Sequence, residues 1–289
     1  MAELWLGAFP GDQPLRLCNT IWGCDLPWVP GSELALSAPQ TWGNWVGALA
    51  LNALLIALAQ RLPLLTRAGW IHAGCLGTLL WGCLGPRGWL AVVLYLVLGS
   101  VVTRLGFKTK QARGLAERRG GARGPENVWG SAATGTLLAV AATRAPPGWQ
   151  PLLLLGFAAS FSAKLADTCG SEIGKRWGRH TVLITSLRPV PPGTEGAISL
   201  EGTAASLLGS AVMALVMLAL GWLSGGAAWW LVTLVGLVST LLESLIGATL
   251  QERWHWLSNE LVNGIQTAIA ALLAMLLAMA LAGAVPAAA

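Results

Sequence analysis

The chain has 289 residues, 55% of them hydrophobic and only 11% charged, with a mean hydropathy of +0.63. Soluble domains carry about 25% charged residues, so this composition excludes a soluble globular enzyme. Runs such as LLLLGFAASF do not alternate apolar with polar, which excludes a β-barrel; the expected class is an all-α, polytopic integral membrane helical bundle.

Residues 1–43 hold one Arg, four acids and scattered Pro and Gly, with no basic start and no apolar signal core. They read as an extended non-cytoplasmic arm and not as a signal or transit peptide. Cys18 and Cys24 lie in this arm, where an oxidising compartment would let them pair. The remainder, 44–289, reads as one membrane domain of eight spans: 44–60, 68–85, 88–103, 127–143, 150–166, 202–222, 228–249 and 263–283. Each is close to the length that crosses a core about 30 Å thick. The weakest is 68–85, with His72, five glycines and two cysteines. Tryptophans near span ends, such as Trp149 and Trp229, suit interfacial anchoring.

Charge orients the set, because cytoplasmic loops collect Lys and Arg. The loops after spans 1, 3, 5 and 7 gather 15 of the 18 basic residues, leaving Arg16, Arg87 and Arg144 on the other side. The polar loops 104–127, 164–201 and 250–263 are therefore expected on the cytoplasmic face of a bacterial inner or thylakoid membrane.

Those loops carry the chemistry. Loop 104–127 has seven basic residues and two acids. It serves either as a topology determinant beside anionic lipid or as a phosphate clamp of Lys108, Lys110 and Arg123, with Asn127 a polar neighbour. Span 5 ends on Asp167, a carboxylate expensive at that depth and hence a functional candidate. If its helix continues through Gly174, then Asp167, Gly170, Ser171 and Gly174 share one face. Hard cations prefer carboxylate and phosphate oxygens, so Asp167 suits a Mg²⁺–nucleotide, with Glu172 as second metal ligand or base. The plainer reading neutralises both acids with Lys164 and Lys175. The segment Gly170–Lys175 lacks Walker spacing, so Lys175 would meet phosphate on a different scaffold.

Farther on, Gly193, Thr194 and Gly196 form a rigid turn after two prolines. Ser199 reads as a helix cap with Glu201, Gly202 and Thr203 in the first turn, where free N–H groups attract anions. Glu243, Gly247 and Gln251 repeat at a spacing of four and share a face; Asn259 and Asn263 do the same at span 8. These polar groups either complete a pocket with Asp167 or bond helices together as packing glue.

Taken together, the motifs resemble a family of polytopic membrane proteins that includes the phytyl-phosphate kinase of plants and cyanobacteria. The resemblance rests on Asp167-Thr-x-x-Ser171-Glu172-Ile-Gly174, Val190-Pro-Pro-Gly-Thr194-Glu-Gly196 with Ser199 and Gly202-Thr203, Glu243-Ser-x-x-Gly247-Ala-x-x-Gln251, and Asn259-x-x-Val-Asn263. It covers about residues 70–284. The layout is also similar to that of CTP-dependent polyprenol and phytol kinases. The resemblance implies that Asp167 holds Mg²⁺ on the nucleotide, that Lys175 contacts phosphates, and that Ser199 with Glu201 lines the nucleotide site. Family members often have Gly or Asn at the position of Glu195 and Asp at that of Glu243, and the arm has no counterpart.

The expected activity is a phosphotransferase acting from CTP on phytyl monophosphate, with Asp167, Glu172, Lys175 and Glu243 as catalytic groups. The partners implied are a membrane-embedded isoprenyl phosphate, a nucleotide and the bilayer, and no nucleic acid. A prenol kinase, a CDP-lipid synthase and a transporter are the alternatives. Acids gathered at one face instead of the midplane, without an internal repeat, count against transport.

Overall fold

The computed structural model describes residues 42–146, 148–251, 253–254 and 256–284; residues 1–41 of the arm, with Cys18 and Cys24, lie outside them. In chain order the elements are α1 (Trp42–Ala59), α2 (Arg67–Arg104), a short α3 (Phe107–Ala112), α4 (Pro125–Ala142), α5 (Gln150–Trp177), β1 (Val182–Leu183), β2 (Ala197–Ile198), α6 (Leu200–Ala219), α7 (Gly225–Ile246) and α8 (Asn259–Ala284). A 3₁₀ turn spans Arg118–Gly121 and a π-helical turn, Gly247–Gln251, extends α7. The protein is an all-α membrane bundle. Among the described residues, α2, α5, α6, α8 and α7 with its extension are long and apolar enough to cross a membrane, while α1 is apolar but shorter.

α2 is not straight. Gly85 has φ 67° and Pro86 follows it, a conformation open to glycine beside a residue that cannot continue the helical hydrogen bonds. Gly69 and Gly99 would be about 45 Å apart in one straight helix. Both instead meet Arg123: a Cβ on Gly69 would lie 2.5 Å from its carbonyl oxygen, and one on Gly99 would lie 2.5 Å from its guanidinium. α2 is thus a helical hairpin whose arms correspond to the expected spans 68–85 and 88–103.

α5 lies at the centre, buried along most of its length and in contact with α2, α4, α6, α7 and α8. In a bilayer, helices associate through close van der Waals packing and interhelical hydrogen bonds, which favours small residues at contacts. Ala158, Ala159, Ser160, Ser162, Ala163 and Ala166 are accordingly buried here. Gln266 Nε2–H of α8 donates to the Ala163 carbonyl (3.0 Å) and to Thr240 Oγ1 of α7 (3.2 Å), tying three helices together. Leu137, Leu208, Leu215, Leu272 and Leu276 point outward, as residues facing lipid chains would.

The helix of span 5 runs eleven residues beyond Ala166, to Trp177, so Asp167–Gly174 lie on a helix and not in a loop. Gly178 stops it, donating its N–H to the Gly174 carbonyl (3.0 Å). The connection to α6 is a small ribbon in which Val182 pairs with Ile198 and Leu183 with Ala197.

Candidate functional site

The connections 105–124, 178–199 and 247–258 meet at one end of the bundle around a polar cavity of about 800 Å³. Its walls hold every expected site residue except Lys108, Lys110 and Glu201. The gathering follows from local structure. α5 and α6 cross at glycines: a Cβ on Gly202 would sit 3.0 Å from the Gly170 carbonyl oxygen and 3.4 Å from Gly174 Cα. Ser199 caps α6 by accepting from the Gly202 N–H (3.1 Å). These contacts bring Ser171 and Gly174 beside Ser199, Gly202 and Thr203.

The proline-rich turn folds back over the cavity. Thr194 Oγ1–H donates to the Pro191 carbonyl (2.8 Å), and the Gly196 carbonyl accepts from the Ile184 N–H (3.0 Å). Gly196 has φ 73° and rests on the end of α7, where a Cβ would come within 2.3 Å of Ala248 Cβ and 2.6 Å of the Ser244 carbonyl oxygen. Opposite it, Gln251 lies in the π-helical turn, a distortion that recurs at functional sites. Its Nε2–H donates to Asn259 Oδ1 of α8, while its own Oε1 is buried without a partner among the described residues.

The acids divide into two kinds. The Asp167 carboxylate accepts from Lys164 one turn earlier and keeps partial exposure to the cavity. Glu243 lines the same cavity as Asp167, Lys164 and Glu195. Glu172, expected as a second metal ligand, also lines the cavity but is 2% exposed and ion-paired with Lys110, itself 0% exposed. Lys110 Nζ also donates to the Thr103 carbonyl (2.8 Å). That pairing takes Lys110 away from the phosphate clamp and occupies Glu172, because a buried charge stripped of its partner is very costly.

The other expected residues settle as follows. Lys108 is exposed on α3. Glu201 turns from the cavity and accepts from the Arg179 backbone N–H (3.4 Å). Lys175 bonds Glu117 (2.9 Å). Burial pushes the Glu117 carboxyl up, but the Lys175 ammonium, with smaller help from Glu172 and Lys164, holds it below its ordinary value of 4.5. Asn127 accepts from the Gly124 N–H (3.0 Å) and donates to Glu260 (3.1 Å), tying α4 to α8. Asn263 lines the same wall. Arg123 Nη1–H donates to Tyr95 Oη (2.8 Å). Sequence reasoning missed Tyr95, Arg119 and Glu260 as cavity residues. Tyr95 is the chain's one tyrosine and sits inside an apolar span, which was the available signal; Arg119 and Glu260 had none beyond their charge.

A family model described as "Integral membrane protein DUF92" matches residues 50–271. The chain belongs to this DUF92 family. Among DUF92-like relatives, an uncharacterized membrane protein of Synechocystis is 51% identical over 229 residues, 78% of this chain and 88% of its own. The chloroplastic protein VTE6 of Arabidopsis thaliana is 40% identical over 245 residues, covering 83% of this chain and 72% of that one. An uncharacterized membrane protein of Methanocaldococcus jannaschii is 30% identical over 224 residues, 77% and 89% of the two chains. No solved structure matches. The matched stretch of DUF92 contains every residue of the cavity wall.

Proposed function

We propose that this DUF92 protein is an integral-membrane isoprenoid-phosphate kinase that transfers a phosphoryl group from a nucleoside triphosphate, CTP, to phytyl monophosphate. The product, phytyl diphosphate, would feed tocopherol and prenylquinone synthesis. The observation that carries the reading is the cavity at one end of the bundle, where three connections and the helix ends beside them converge. The likeness to VTE6 and the motif resemblance to phytyl-phosphate kinases support the same reading.

The wall mixes signs: Arg118, Arg119, Arg123, Lys164 and Lys175 stand among Glu117, Asp167, Glu172, Glu195, Glu243 and Glu260. Cations alone would not hold a triphosphate against so many carboxylates, whereas carboxylates of the wall would hold a divalent ion that offsets the charge on both. Magnesium bound with nucleotide needs only one or two carboxylates plus substrate phosphates. Among the described residues, no three His, Cys, Asp or Glu side chains cluster as a closed metal site. Asp167 and Glu243, both on the cavity wall, would be its protein ligands, in place of the Asp167–Glu172 pair. When bound, the ion would neutralise charge on the phosphates.

The chain's own groups then have limited work, since phosphoryl transfer depends mostly on positioning and charge neutralisation. Lys175 and Arg119 face the cavity as donors to phosphate oxygens, and Arg123 would hold the acceptor's phosphate. An oxygen of that phosphate forms the new P–O bond to the γ-phosphorus, and the β–γ bridging oxygen leaves with the nucleoside diphosphate. The acceptor is already ionised near neutral pH, so no general base is needed, and Glu172 can be structural. The excess of Lys and Arg in the loops after spans 1, 3, 5 and 7 supports a cytoplasmic position for the cavity end. To test the reading, γ-labelled CTP is incubated with Mg²⁺, phytyl monophosphate and the protein in nanodiscs. Label should move to the lipid phase and stop doing so on chelation; label remaining with the nucleotide would refute it.

A further inference from the structure

A second cavity of about 470 Å³ adjoins the first. It lies between α1, both arms of α2 and α4, and hydrocarbon side chains such as Ile56, Ala73, Leu76, Val93 and Leu96 form nearly all of its wall. Tyr95, Arg123, Asn127 and Ser131 line both cavities, so these four side chains form the wall that the apolar groove and the polar site share. Its rim includes Leu58, Leu62 and Val97, which are 70%, 52% and 44% exposed. The rim thus faces the region that lipid chains would occupy. Toward the hairpin turn of α2 the groove is closed by a polar pair. Trp89 Nε1–H donates to Asn52 Oδ1 (2.9 Å), and Asn52 Nδ2–H donates to the Ala48 carbonyl (2.9 Å). Gly77 permits that closure, because a Cβ there would lie 2.6 Å from Asn52 Oδ1.

Arg123 stands where groove and polar cavity join, and it is held on every side. Its N–H donates to the Leu64 carbonyl and its carbonyl accepts from the Thr66 N–H, both at 3.0 Å. Its guanidinium bonds Tyr95 Oη and sits 5.2 Å from that ring's centroid, a cation–π distance. The glycines at 69 and 99 leave the room it needs. A fixed cation between hydrocarbon and a polar cavity matches a ligand with an anionic head and one apolar chain. Fixing it beforehand also avoids an ordering cost on binding.

We infer that this groove seats the hydrocarbon chain of the isoprenyl phosphate, which enters sideways from the bilayer and leaves its phosphate on Arg123. The inference rests on the kinase reading and adds to it the acceptor's subsite and its route of entry.

The test is photo-cross-linking of the full-length protein in phosphatidylcholine nanodiscs, using phytyl monophosphate with a diazirine on its chain. Labelled peptides are mapped by mass spectrometry. Labels should fall on α1, the arms of α2 and the start of α4, equally in Asp167→Asn, and excess phytyl monophosphate should displace them while phytol or phospholipid does not. Ala73→Phe, which fills the groove, should cut labelling and raise KM for phytyl monophosphate about tenfold, the scale on which an apolar pocket discriminates, with kcat held. Leu137→Phe, on the outward side of α4, should change neither. Labels spread over α6 and α8, or displaced equally by phospholipid, would overturn the groove whether or not the protein is a kinase. Labels confined to the groove without phosphoryl transfer from any nucleotide would support the groove and remove the kinase reading.

Discussion

Asp167 and Glu172 sit five residues apart on one helix and each pairs with a buried lysine, but the Asp167 side chain keeps 13% exposure where that of Glu172 keeps 3%. Asp167→Asn should lower turnover by at least ~100-fold, the scale for losing a charge-stabilising group, while the protein stays folded in detergent. Turnover near that of the unaltered protein would remove Asp167 from the metal site. Lys110→Met should instead act on stability, since breaking one side of a buried pair costs about 3–5 kcal/mol. The double change Lys110→Met with Glu172→Leu should recover most of the lost unfolding temperature and keep activity. An inactive but stable double variant would return Glu172 to catalysis. Glu117 gives a pH dependence whose sign follows from its depressed carboxyl. Its pairing with Lys175 contributes above the ordinary value of 4.5 and is lost as pH falls below that. Hydrogen exchange in loop 104–127 should therefore rise below about pH 4.5, and Glu117→Gln should abolish the step. The effect is expected to be small, as both partners are partly exposed. Asp167 was legible as a lone carboxylate ending an apolar span. The division of labour was not, because Lys110 lies 62 residues from Glu172 and only tertiary packing brings the two together.

The elements themselves follow from short-range physics. Apolar length gives the helices, Ser199 gives the start of α6, and Gly85-Pro86 gives the turn of α2. The end of span 5 was harder to read: its apolar run stops at Ala166, yet nothing between 167 and 177 breaks a helix, so the helix carries Asp167 through Gly174 into the cavity. The seat of the Pro191–Gly196 turn depends on contact with α7 and could not be read from the turn alone. Two glycines on these elements should respond differently to substitution. Gly196→Ala adds a Cβ at positive φ against Ala248 and the Ser244 carbonyl. It should lift the turn from α7, lower stability by about 1–3 kcal/mol and reduce activity. Gly174→Ala meets only ordinary contacts, at 3.6 Å and beyond, and should leave the unfolding temperature nearly unchanged. Thermal unfolding of both variants in detergent checks the contrast.

At the scale of the whole molecule, a bundle of small-residue contacts gathers its polar motifs at one end and joins them to an apolar groove. The alternating charge of successive loops led to the expectation that the motifs share one face, and they do meet at one end of the bundle. Their convergence in a single cavity, and the groove beside it, needed α2 to fold back on itself. The activity proposed for this end of the bundle is phosphoryl transfer to a prenyl phosphate. The most direct measurement offers the purified protein Mg²⁺, either phytyl monophosphate or phytol, and each of CTP, ATP, GTP and UTP, with lipid products identified by mass. Phytyl diphosphate from the monophosphate, strongest with CTP and absent with phytol, is the predicted result. Phytyl monophosphate from phytol, a CDP-lipid, or no product from folded protein would contradict it.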